Sequence, residues 1–175
     1  MDTEKLHQMG MKFFRDGDYD KAQNCFTALL AKDKRAVDTY NARGQIYFIT
    51  GCHEKSAADF EHVIELSPNN AEAYFNRGLL RRRMGEPEKA IEDFSKALAL
   101  NPGMMEANSQ RGLAWLALDK AVNSVEDFSK AIQTRQSLPR LFFYRALAYS
   151  HLGQWDKAVA DFGEEFLLNL ESKKG

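Results

Sequence analysis

The chain repeats itself every 34 residues. The hexapeptide EDFSKA occupies residues 92–97 and returns at 126–131. Sliding the sequence against itself by this interval aligns Phe26, Phe60, Phe94, Phe128 and Phe162 in one column. Gly10, Gly44, Gly78, Gly112 and Ala146 form a second, and Gly17, Gly51, Gly85, Asp119 and Gly153 a third. Ala22, Ser56, Ala90, Ser124 and Ala158 form a fourth. The register holds through five units that begin near residues 3, 37, 71, 105 and 139. A fixed period of this length restricts a chain to a stack of like elements, each docking on its neighbour in the same way.

Each unit reads as a helix, a tight turn and a second helix. In the third, AEAYFNRGLLRRRM is helical in pattern, and EKAIEDFSKALAL follows Gly85-Glu86-Pro87. Gly85 suits the left-handed conformation that ends a helix. Pro87 suits the first turn of the next, where a missing N–H costs nothing. Asn101-Pro102 then stops the second helix. The small column built on Gly78 admits a close helix neighbour, and the phenylalanine column fills space between units.

These residues resemble the tetratricopeptide repeat. The second unit supplies Tyr40, Gly44, Tyr47, Gly51, Phe60 and Pro68 at that family's offsets, with Ser56 for its alanine. The third supplies Tyr74, Gly78, Gly85, Ala90, Phe94 and Pro102. The resemblance implies an all-α, right-handed superhelical solenoid of antiparallel helix pairs. The expected organisation is a single domain, 1–175, with repeats near 3–36, 37–70, 71–104, 105–138 and 139–170. Arg81 departs from the pattern at the second aromatic, and Lys34 at the boundary proline. Asn108, Asp119 and Gln136 make the fourth unit the least typical, so a looser region over 103–139 is expected.

Two further columns vary together. Arg43, Arg77, Arg111 and Arg145 are each followed sixteen residues later by an acid: Asp59, Asp93, Asp127 and Asp161. The first unit has Met9 and Cys25 instead, so both charges vanish at once. The spacing predicts an ion pair between the two helices of each unit, bidentate where geometry allows. Four copies of one arrangement argue for structure rather than an acid–base site.

The first helix of each unit carries a second stripe that packing does not need. In the family it resembles, that stripe lines a concave peptide-binding groove. Here it would run through Phe48, Phe75, Asn76, Leu79, Arg82, Arg83, Leu113, Leu116, Phe143 and Leu147, apolar in its middle. Large exposed apolar patches mark interaction sites. The chaperone-binding members hold a C-terminal carboxylate with a set of lysines, asparagines and an arginine. Only Asn76 matches that set, so a clamp of this kind does not fit. The acids Glu4, Asp38, Glu72 and Glu106 begin their helices, where the macrodipole accounts for them.

Nothing points to chemistry. No phosphate-binding GxxxxGK, HExxH, GxGxxG or GxSxG sequence occurs. Cys52, His53 and His62 are the one metal-like grouping; spread over a turn and a helix, they read as surface residues. No cofactor or metal is expected, and no enzyme. With 24 basic and 25 acidic residues the net charge is -1, which advertises no nucleic-acid partner, and Arg81-Arg82-Arg83 is too short a run to change that. No apolar stretch of membrane-spanning length occurs, and two cysteines outside any disulfide framework fit a cytoplasmic location. The expected partner is a segment of another protein. The rival expectation is an assembly module that forms a homodimer through its C-terminal repeat, where Phe166, Leu167, Leu168 and Leu170 would lie open.

Overall fold

The computed structural model describes residues 2–134 and 138–171. Among them are ten α-helices: α1 (Thr3–Arg15), α2 (Tyr19–Leu30), α3 (Val37–Ile49), α4 (His53–Leu66), α5 (Ala71–Arg83), α6 (Pro87–Leu100), α7 (Met105–Ala117), α8 (Ala121–Thr134), α9 (Pro139–His151) and α10 (Trp155–Glu171). The chain divides into two compact units, Met1–Met84 and Gly85–Gly175. That boundary falls in the turn of the third repeat.

In the first unit α1 packs on α2 and α3 on α4, while α3 also crosses α2 and α5 crosses α4. In the second unit α7 packs on α8 and α9 on α10, with α7 also against α6 and α9 against α8. Within their units α2, α4 and α8 therefore each serve their own first helix and the first helix that comes next.

The turns follow one recipe. After α3, Gly51 takes φ +79°, and the N–H of Cys52 donates to the carbonyl of Tyr47 at 2.8 Å. This closes the helix end as a left-handed C-cap does. Asp119 holds the same place after α7 with φ +56°, and Lys120 N–H donates to Trp115 O at 2.9 Å. Aspartate is among the few residues that tolerate this region. The described part of 103–139 thus keeps the repeat geometry; Gln136 lies outside the described residues.

Close helix contact explains the glycine column. A Cβ on Gly10 would stand 2.5 Å from Phe26 Cε1, and one on Gly44 would stand 2.8 Å from Phe60 Cε1. At Gly112 the nearest atom is Phe128 Cζ, 3.1 Å away. The phenylalanine ring thus lies on the backbone of the helix opposite, and Phe26, Phe60, Phe94 and Phe128 are buried. The same rings meet the next first helix. Phe26 clusters with Ala22, Ala42 and Ile46. Phe128 clusters with Met105, Ala131, Ile132, Leu141 and Phe142. Where serine replaces the small column's alanine, its hydroxyl is satisfied: Ser56 donates to Gly44 O and Ser124 to Gly112 O, each at 2.9 Å.

Candidate functional site

Arg43, Arg111 and Arg145 each meet the aspartate of their own helix pair. Arg43 donates through Nε and Nη2 to the two oxygens of Asp59, both at 2.8 Å. Arg111 holds Asp127 at 2.8 and 2.7 Å, and Arg145 holds Asp161 at 2.7 Å twice. The carboxylates are buried. The carboxylate hydrogen bond raises each of these three guanidinium pKa values, against the opposing effect of burial. Arg77 stands on α5 over the ring of Tyr74, 5.7 Å from its centroid, and Asp93 is buried on α6. The bidentate fork is the geometry that the sixteen-residue spacing predicts for an ion pair between the two helices of a repeat.

In the first unit the stripe on the first helices is partly polar. Asn76 Nδ2 donates to Asn41 Oδ1 at 3.0 Å. Asn41 Nδ2 in turn donates to Glu72 Oε1 at 2.9 Å, and Gln45 Nε2 reaches the same oxygen at 3.2 Å. This ladder ties α3 to α5. Asn41, Gln45 and Glu72 line a cleft of about 360 Å³ with His7, Met11 and Phe14 of α1 and Asp38 and Ala42 of α3. Glu72 therefore does more than face a helix dipole. The pairing was missed in the sequence because its members lie 27 and 31 residues apart, off the 34-residue period.

At the far end of α5 the surface turns basic. The Arg83 guanidinium lies 5.0 Å from the Phe48 ring centroid, and its Nη1 donates to the Phe48 carbonyl at 3.3 Å. Phe48, Phe75, Asn76 and Leu79 are half-buried, while Arg82 and Arg83 are exposed.

In the second unit the apolar stripe is partly covered. Leu113 and Leu116 are half-buried because they pack against the cluster around Phe128 and Leu141. Leu147 is half-buried too. Phe143 is the exposed member, with 38% of its surface open, and it meets Phe162 edge-on at 5.8 Å. The apolar side chains of this stripe divide their surface between the core and solvent.

The Cys52, His53 and His62 grouping does not converge: among the described residues no group of three or more His, Cys, Asp or Glu side chains is arranged to hold a metal ion. Cys52 precedes α4 as its N-cap, and His62 lies against the Tyr40 ring at 4.9 Å. Among the described residues no helix is long and apolar enough to cross a membrane.

Comparison with known proteins gives one answer. Residues 71–104 and 140–164 match models described as tetratricopeptide repeat, and residues 44–85 match one described as TPR repeat. A crystal structure of MamA is 25% identical and superposes with a TM-score of 0.88, covering 98% of this chain and 94% of that one. MamA from Desulfovibrio magneticus RS-1 is 15% identical with a TM-score of 0.90, covering 97% and 96%. YrrB, described as a TPR protein with an unusual peptide-binding site, is 17% identical with a TM-score of 0.80, covering 99% and 93%. No curated protein sequence matches the chain.

Proposed function

The chain belongs to the tetratricopeptide repeat family, and on that premise we propose that it is a non-enzymatic interaction scaffold whose first helices hold a segment of another protein. One observation carries this reading. After the helix pairs have packed, with Phe26, Phe60, Phe94 and Phe128 buried, the second stripe of the first helices still leaves Phe75, Leu79 and Leu147 half-covered and Phe143 open. Surface left over in this way is available to a ligand.

The residues engaged are Phe48, Phe75, Asn76, Leu79, Arg82 and Arg83 in the first unit and Leu113, Leu116, Phe143 and Leu147 in the second. In the first unit apolar side chains of the ligand would rest on Phe75 and Leu79, as anchors do in peptide grooves, and in the second unit Phe143 offers an anchor of its own. Arg82, exposed one turn beyond Leu79, favours an acidic residue beside those anchors and acts more on association rate than on affinity.

A peptide array probed with the purified chain tests the reading. Phe75→Ala with Leu79→Ala should weaken capture at all salt concentrations. Arg82→Glu should weaken it chiefly at low salt, because exposed charges are screened beyond about 10 Å at 0.1 M. Captured peptides without spaced apolar residues, or capture unaffected by the Phe75 and Leu79 changes, would reject it.

A further inference from the structure

The fourth repeat lacks a ring that its neighbours have. Position 108 belongs to the column of Leu6, Tyr40, Tyr74 and Phe142, and in this repeat it is Asn108. Elsewhere the ring of that column lies beside the arginine three residues on. The ring centroid of Tyr40 is 5.7 Å from the Arg43 guanidinium, that of Tyr74 5.7 Å from Arg77, and that of Phe142 5.6 Å from Arg145. Tyr40 also meets His62 of α4, with ring centroids 4.9 Å apart. Two repeats on, the place of His62 is taken by Lys130. A ring at position 108 would therefore lie between Arg111 and Lys130.

A cleft of about 400 Å³ opens there instead, within the second unit. It is lined by Leu98 and Pro102, by Asn108 and Arg111 of α7, and by Lys130, Gln133 and Thr134 of α8. A short side chain in a column of large ones leaves such a space. Asn108 is the buried member of the lining, only 7% exposed. Its backbone N–H donates to Met104 O, but among the described residues its side-chain amide makes no hydrogen bond. A buried amide without a partner is costly and calls for one.

We propose that this cleft receives a tyrosine side chain from a partner protein, which supplies the ring that the fourth repeat lacks. Three features choose this ligand. The tyrosine and phenylalanine members of the column show which side chain stands beside an arginine at this point of a repeat. The two flanking cations are already neutralised, Arg111 by Asp127 at 2.7 Å and Lys130 by Glu126 at 2.6 Å. An anion would find no surplus of positive charge here, while the face of a ring is attracted to cations that keep their partners. The third feature is Asn108 itself. A ring entering from solvent presents its far edge to the buried amide, and a phenol hydroxyl there both donates and accepts. A phenylalanine ring would leave the amide bare. None of the lining residues belongs to the second stripe of the first helices, so the cleft is separate from the proposed groove and stands or falls without it.

Nuclear magnetic resonance of the isotope-labelled full chain tests this, read at the backbone amides of Lys130, Gln133 and Thr134 and at the Asn108 side chain. N-acetyltyrosine amide, titrated to millimolar concentration, should shift these signals saturably. N-acetylphenylalanine amide should bind roughly fivefold more weakly, as for the loss of one hydrogen bond. Asn108→Tyr should fill the cleft from within, raising the melting temperature and abolishing the shifts. Asn108→Ala should keep the cleft and erase the difference between the two probes. Bare p-cresol separates the sources, because binding of p-cresol without binding of the capped tyrosine would assign the cleft to a free phenol. That result, no shift at millimolar probe, equal binding of the two capped amino acids by wild type, a lowered melting temperature for Asn108→Tyr, or shifts that survive that substitution would each overturn the proposal.

Discussion

Arg145 reaches back to the hydroxyl of Ser129 through Nη1 at 3.1 Å while its other two nitrogens hold Asp161. Ser129 belongs to α8 and Asp161 to α10, so one guanidinium spans three helices. Arg111 does the same with Ser95 at 2.9 Å, and Arg43 with Thr27 at 3.3 Å. All five guanidinium N–H groups lie in one plane, so satisfying the acid fixes the direction in which the remaining nitrogen points. The pair therefore sets how one helix pair sits on the preceding second helix. Burial of both charges makes this a device for register more than for net stability.

Removing one partner should expose the cost. Arg111→Met leaves Asp127 buried without its cation, and a loss of about 3–5 kcal/mol is expected. Adding Asp127→Cys recreates the Met9 and Cys25 combination of the first unit and should recover a large part of that loss. Urea melts of the two single variants and the double variant form a mutant cycle. Additive losses would show that the two side chains are not coupled.

The arginine side of the pair also sets a pH dependence. The three arginine pKa values are raised in the folded state. A raised folded pKa gives stability that is complete below the unfolded value and lost as pH climbs through the folded one. The contribution should therefore stay constant through neutral and mildly alkaline pH. Thermal melts of wild type and an Arg111→Met, Asp127→Asn variant, which leaves no titratable group at the pair, should keep a constant separation from pH 7 to about 10, short of the ordinary arginine range.

Gly44→Ala should reverse the usual sign of such a change. In a helix interior, alanine for glycine ordinarily adds up to about 1 kcal/mol. Here the new Cβ would meet Phe60 Cε1 at 2.8 Å, and Phe60 is buried at 1% exposure. A loss of about 1–3 kcal/mol is expected, as for overpacking. The column's fifth member is already alanine, Ala146, and its partner Phe162 is only half-buried. Phe162 has room to move, so the corresponding Ala146→Gly should not stabilise. Chemical denaturation of both variants decides the matter.

Much of this was legible in the sequence because it obeys the period. The glycine and phenylalanine columns, the turn glycines and the arginine–aspartate spacing all recur at 34 residues, and each recurrence reflects one packing contact made again. What was not legible breaks the period. The hold of Glu72 on Asn41 and Gln45 depends on how far two neighbouring first helices are offset, which no single repeat encodes. The half-coverage of Leu113 and Leu116 depends on Met105 and Leu141 reaching the same cluster from α7 and α9. Asp119 departs from the repeat in residue type alone: it keeps the left-handed backbone that glycine has at the same place in the other turns.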